Sequence, residues 1–182
     1  RRAVDFFINV CLENWDVICQ VKGGVKFQQS YIESLTISTK ARPVVLYDFG
    51  SYMYKFPVYM RRSAIHEAIG KVSSYKSNLA NWELVDKRTR GNKPTIANCG
   101  YVYPAMYRDN TFVRTGTYTA KLKVFIRNTW DWLSVDLKKS DVDYILHHCS
   151  TRKECVPTLQ RRGKQWFLDF AFKEDHRLND TD

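Results

Sequence analysis

The sequence predicts an α+β protein in two parts, a helical lobe followed by a mostly antiparallel sheet with one helix inserted. Three observations predict it. Apolar residues recur at helical spacing through most of residues 1–84. From residue 117 onward the period falls to two. Between these regions lies DKRTRGNKPT, residues 86–95, which is polar, contains Gly and Pro and holds four cations. The boundary is therefore placed at 92/93, dividing the chain into residues 1–92 and 93–182. A chain of 182 residues has room for one substantial core or two small ones.

The elements follow in order. Val4, Phe7, Ile8, Cys11, Leu12 and Trp15 share one helical face, so a helix is expected over residues 1–21, ended by Gly23-Gly24. Phe27, Tyr31, Ile32 and Leu35 predict a second, short helix over 27–40, broken at Arg42-Pro43. Residues 44–60 are aromatic-rich and interrupted by Gly50 and Pro57, which reads as a packed loop with room for a short strand. A longer helix is expected over 58–84, with Ile65, Ile69, Val72, Leu79 and Trp82 on one side and Arg61, Arg62, Lys71 and Lys76 on the other.

In the second part, Tyr118, Ala120, Leu122, Val124 and Ile126 alternate with Thr119, Lys121, Lys123, Phe125 and Arg127, the pattern of a strand with one basic face. Residues 130–138 are its expected hairpin partner around an Asn128-Thr129 turn. Ser140 reads as a helix N-cap, with Asp141 and Asp143 placed for the helix dipole. The last strand is expected over 165–173, with Trp166, Leu168, Phe170 and Phe172 on one face. The opening RRAVDFFINVCLENWD has no initiator Met and reads as mid-helix, so the true N-terminus is expected upstream. Its apolar stretch is too short for a signal peptide and is broken by Asp5 and Asn9. No apolar run approaches the roughly 18 residues of a membrane span.

Formal net charge is +10. A surplus of that size favours a polyanionic partner, because each phosphate neutralised by Lys or Arg releases a counterion. The five cysteines are odd in number and irregularly spaced, which fits reduced thiols in a cytoplasm better than a disulfide framework.

Metal and hydrolytic chemistry find little support. His147, His148, Cys149 and Cys155 are close in sequence but lack the paired C-x₂₋₄-C spacing of structural zinc, so no metal site is expected. The later carboxylates, Asp131, Asp136, Asp141, Asp143, Asp169 and Glu174, form no cluster of the kind that holds divalent ions. There is no P-loop and no nucleophile elbow. Nucleic-acid binding fares better. Tyr101, Tyr103, Tyr107, Arg108, Phe112 and Arg114 interleave rings that stack on bases with groups that hold phosphates, although the tyrosines also suit core packing. Lys121, Lys123 and Arg127 line a strand face, and Arg161, Arg162 and Lys164 surround a turn whose Gly163 permits close backbone approach.

Four stretches together carry a family resemblance: KFPVYMRRSAIHEAIGKVSSYKSNLANWE, RGNKP, KVFIRNTWDWLSVDLKKSDVDYIL and TLQRRGKQWFLDFAFKED. In their order and character the chain resembles the N-terminal half of TnpB-like proteins, the transposon-encoded RNA-guided DNA endonucleases, often called OrfB-type transposases, that are related to miniature type V CRISPR effectors. The resemblance runs over most of residues 1–175. It implies that the helical part is a recognition lobe and that the strands form a β-barrel-like wedge domain. It implies guide RNA and target DNA as partners, with a second protomer or a RuvC domain as further ones. The family's first wedge strand would precede Arg1. Its RuvC acidic triad, zinc ribbon and magnesium would follow Asp182. No catalytic residue is therefore carried onto this chain, and no cofactor is expected in it. The setting implied is the cytoplasm of a prokaryotic cell, associated with the nucleoid when target is bound.

On this reading Arg61, Arg62, Lys71 and Lys76 address phosphates of the guide–target duplex, and Tyr75 and Asn78 reach base edges. Lys121, Lys123, Arg127, Arg161, Arg162 and Lys164 hold the guide scaffold, and Arg88, Arg90, Lys93, Tyr103, Arg108 and Arg114 add further contacts. Two other functions fit the same residues: a guide-dependent binder that never cuts, and an adaptor whose basic face meets an acidic protein.

Overall fold

In a computed structural model the described residues are 1–96 and 104–174. They comprise α1 (Arg2–Glu13), α2 (Trp15–Ile18), α3 (Val25–Thr36), α4 (Phe49–Tyr52), α5 (Val58–Leu84), β1 (Phe112–Arg114), β2 (Thr119–Ile126), β3 (Thr129–Asp136), α6 (Lys139–His148), β4 (Lys153–Glu154), β5 (Thr158–Arg162), β6 (Gln165–Asp169) and β7 (Phe172–Lys173). The architecture is α+β, with helices first and antiparallel strands second. The chain divides into two units at 102/103, ten residues after the expected boundary. The polar stretch after α5 belongs to the helical unit because it folds back on that helix. Trp82 Nε1 donates to Gly91 O at 2.7 Å, and Ile96 packs against the core.

The first unit is built around the apolar stripes of α1 and α5. Val4, Phe7, Ile8 and Cys11 of α1 are buried, as are Ala64, Ile65, Ala68, Ile69 and Val72 of α5. Small Ala64 and Ala68 let the two helices approach, while Phe7 stacks on Phe49 with ring centroids 4.7 Å apart. The expected first helix is interrupted at Asn14, whose φ is −117°. Its side-chain amide donates to Val10 O and to Tyr47 Oη, closing α1 and tying the 44–60 loop to it. That loop, read from sequence as packed with room for a short strand, holds instead the one-turn α4, capped by Asp48. Burial pushes the Cys11 thiol up to about 12.

In the second unit β1-β2-β3 form one antiparallel sheet, while β5-β6 and β4-β7 form separate two-stranded pieces. The described strands do not close into a barrel. The expected 165–173 strand breaks at Phe170-Ala171, so β6 pairs with β5 and β7 pairs with β4. The β2–β3 turn is Arg127-Asn128, one residue earlier than expected. Both residues have positive φ, 50° and 64°, which matches the right-handed twist of a hairpin. Ser140 lies inside the first turn of α6 rather than capping it, and its hydroxyl donates to Asp141. Asp141 also accepts from Lys138, so its carboxyl sits below the usual carboxylate range. Asp143 is absent from the first turn and accepts from the Tyr118 hydroxyl at 2.8 Å. Gly163 has a φ of 61°, a conformation that favours glycine; a Cβ there would meet nothing within 4 Å, so backbone strain rather than crowding opposes a side chain.

A thiol held protonated in a closed core should be inert. At pH 8, Cys11 is expected to resist alkylation in the native protein while exposed Cys19 and Cys155 react. Mass spectrometry of the labelled protein checks this, and labelling of Cys11 at the same rate as Cys19 would contradict the described core.

Candidate nucleic-acid interface

Residues 1–102 hold 15 of the 29 basic residues against 8 of the 19 acidic ones, leaving the helical unit +7 of the +10. The structure sorts these cations, and those of the second unit, by their partners. Arg61 leaves α5 toward α3 and places its Nη2 3.1 Å from Glu33 Oε1, with only 15% of the side chain exposed. Its Nε is buried with no hydrogen-bond partner among the described residues. Arg62 shares the same carboxylate at 3.4 Å with 43% of its side chain exposed. Arg90 is a helix cap: its guanidinium donates to Glu83 O and Val85 O at the end of α5 and stacks 4.3 Å over Trp82.

Glu154 plays the part of Glu33 in the second unit. It accepts from Arg108 at 2.7 Å and from Arg114 at 3.0 Å, and Arg114 also lies over the Phe170 ring. Arg162 pairs with Asp169 at 2.7 Å, and Arg161 donates to Gly163 O across the turn. Arg161 and Arg162 are the last residues of β5, so only Lys164 joins Gly163 in the turn. Tyr101 and Tyr103 lie outside the described residues.

Lys76, Arg88, Lys93, Lys121, Lys123, Arg127 and Lys164 have no ion pair among the described residues. Two surfaces collect the expected residues. The first is a groove of about 590 Å³ along the solvent side of α5, where His66, Lys71, Ser74, Tyr75 and Asn78 face Thr95 of the returning segment. Lys71 is paired there with Glu67 at 3.4 Å. Partial burial, with nearby Arg62, pulls the His66 imidazole below its ordinary range, so it sits in the groove largely uncharged at neutral pH.

The second surface is one face of the β2–β3 hairpin. Lys121 pairs across the strands with Ser134, Lys123 with Trp132 and Phe125 with Trp130. Directly paired residues share a face. The contacts agree, with Lys123 Nζ 5.2 Å from the Trp132 ring centroid and the Phe125 and Trp130 rings 5.5 Å apart. Ala120 and Leu122, on the opposite face, are buried. Arg127 stands at the tip. Phe125, Trp130 and Trp132 were absent from the residues expected from sequence. Their signal was the alternation of the partner strand: a turn at Arg127-Asn128 pairs Lys123 with Trp132, one at 128–129 would pair Phe125 with it, and either register puts both tryptophans on the basic face.

The profile of the Aq_aa04 family matches residues 1–126. The chain belongs to the Aq_aa04 family. It is similar to the "Uncharacterized protein aq_aa04" of Aquifex aeolicus (strain VF5), 42% identical over 88 residues, 47% of this chain and 49% of the relative. The match thus spans about half the length of that relative. No solved structure matches the chain. The Aq_aa04 match covers the helical unit, the α5 groove and β2, including Lys121, Lys123 and Phe125; Trp130 and Trp132 of β3 lie beyond it.

The Glu33 carboxylate compensates a guanidinium that is mostly withdrawn from water. Glu33→Gln should cost about 1–3 kcal/mol of stability in urea unfolding. Arg62→Ala should cost less than about 1 kcal/mol, since that arm of the pair is exposed. Equal costs for the two variants would contradict an inward-held Arg61.

Proposed function

We propose that this chain is the guide-RNA- and target-DNA-binding portion of an RNA-guided DNA endonuclease of the TnpB kind, working in a prokaryotic cytoplasm. The observation that carries the reading is the hairpin face on which Lys121 and Lys123, with no ion pair among the described residues, stand among Phe125, Trp130 and Trp132. Lysines without carboxylate partners remain available to phosphates, and neighbouring rings offer faces to bases. The α5 groove supports the same reading, since Tyr75 and Asn78 stand beside Lys71 and uncharged His66 on one helix side. Sequence would be read by base pairing, and the protein would address backbone shape.

No hydrolytic step is assigned to these residues. Among the described residues no group of three or more His, Cys, Asp or Glu side chains is placed to hold a metal ion. None of the described helices is long and apolar enough to cross a membrane.

The test is a titration with a folded RNA over a range of salt. Affinity should fall by about a hundredfold or more between 50 and 200 mM salt, as expected when several phosphates are neutralised. Replacing Arg161, Arg162 and Lys164 together by Glu should weaken RNA retention at moderate salt. Salt-independent binding by the wild type, or retention unchanged in the triple variant, overturns the proposal or that assignment respectively.

A further inference from the structure

Resting on that reading, we infer that the β2–β3 face is a stacking platform for unpaired bases of RNA, and that Phe125 is its principal exposed ring. The argument starts from exposure. Phe125 is 53% exposed, although a phenylalanine in an antiparallel sheet ordinarily faces the core. Its cross-strand neighbour Trp130 packs against the ring at a tilt, 59° between planes, and leaves about half of Phe125 in solvent. One pair further along, at the roughly 6.8 Å repeat of same-face positions, Lys123 lies over Trp132. Another step brings exposed Lys121, opposite Ser134. The order along the face is therefore ring, ring with cation, cation, with Arg127 at the tip beside Phe125. Asp136 lies on this face at its far end, paired with Thr119, one same-face step from Lys121 and two from Lys123. Asp131 points to the opposite face, paired with Val124.

Such an order suits a strand whose bases are free. A paired duplex hides the faces of its bases in the stack, so it would meet the lysines and leave the rings unused. In RNA, recognition by aromatic side chains falls on loops, bulges and ends, because the A-form major groove is too narrow for side chains to read. The platform has room for about two bases, comparable to other sheet surfaces that stack two or three. Phosphates between and beyond those bases would fall to Lys121, Lys123 and Arg127.

Phe125 tests this cleanly because its truncation removes a largely solvent-facing ring. The probes are a twelve-residue oligouridine, the corresponding oligothymidine and a fully paired RNA duplex, read by fluorescence quenching of the tryptophans and by filter retention. Phe125→Ala should weaken oligouridine binding by about tenfold or more, the loss expected for one stacked base. It should leave duplex affinity within about twofold and the salt slope unchanged, because no charge is removed. Phe125→Trp should restore oligouridine binding. Equal binding of oligouridine by wild type and Phe125→Ala overturns the platform. So does an equal loss for oligouridine and duplex. Loss confined to oligothymidine overturns the choice of RNA. If the wild type binds the duplex with a steep salt dependence while Phe125→Ala discriminates nothing, the platform falls and the nucleic-acid reading stands. If the wild type binds none of the three, both fall.

Discussion

A guanidinium drawn out of water needs a carboxylate, and in this chain two carboxylates serve four arginines. Glu33 holds Arg61 and Arg62, and Glu154 holds Arg108 and Arg114. Each carboxylate is itself mostly buried, with 18% of the side chain exposed. Arg61 and Arg114 are the better-withdrawn partners, while Arg62 and Arg108 stand further in solvent and contribute as surface ion pairs do. Arg61 ties α3 to α5. Arg114 ties β1 to β4 and spreads over Phe170. The net charge of +10 is therefore unevenly available. The arginines that hold the fold together are spent, and the lysines of the hairpin face are not.

The two units stabilise themselves differently. The helical unit has a continuous aromatic and aliphatic core in which Phe7, Phe49, Ile65 and Val72 are fully or almost fully buried. The later part of α5 extends past that core, and the segment after it turns back through Trp82, Arg90 and Gly91. That return creates the groove beside Tyr75 and Asn78. The second unit is a set of small sheets, with Phe112, Ala120, Leu122 and Val142 as its buried apolar centre. Large apolar groups stay partly in solvent there, among them Phe125, Leu133 and Trp166. An exposed ring next to an unpaired cation is consistent with a binding surface.

Much of this was legible in the sequence. The 3.6-residue spacing of Ile65, Ile69 and Val72 placed the long helix at residues 58–84, and its bounds match α5. The alternation through Leu122 and Val124 placed β2 and the side on which Lys121 and Lys123 lie. Local patterns of this kind are periodic and survive without tertiary information. What was not legible depends on partners far apart in the chain. Nothing near Arg61 announces Glu33, 28 residues earlier, and nothing near Arg108 announces Glu154, 46 residues later. Asn14 breaks the first helix because Tyr47, 33 residues on, offers it a partner. The hairpin turn was misplaced by one residue because an Arg at positive φ is uncommon, and Asn128-Thr129 looked the better turn. That slip kept the faces and changed only the pairs, setting Trp132 opposite Phe125 instead of Lys123.

If the available cations and rings serve a nucleic acid, the protein should carry one from the cell. The most direct measurement is sequencing of whatever nucleic acid copurifies with the chain at moderate salt. The account predicts a discrete, structured RNA, enriched far above its abundance in the cell and protected over a defined length. Protein free of nucleic acid, or fragments sampled in proportion to the cell's total RNA, would contradict it.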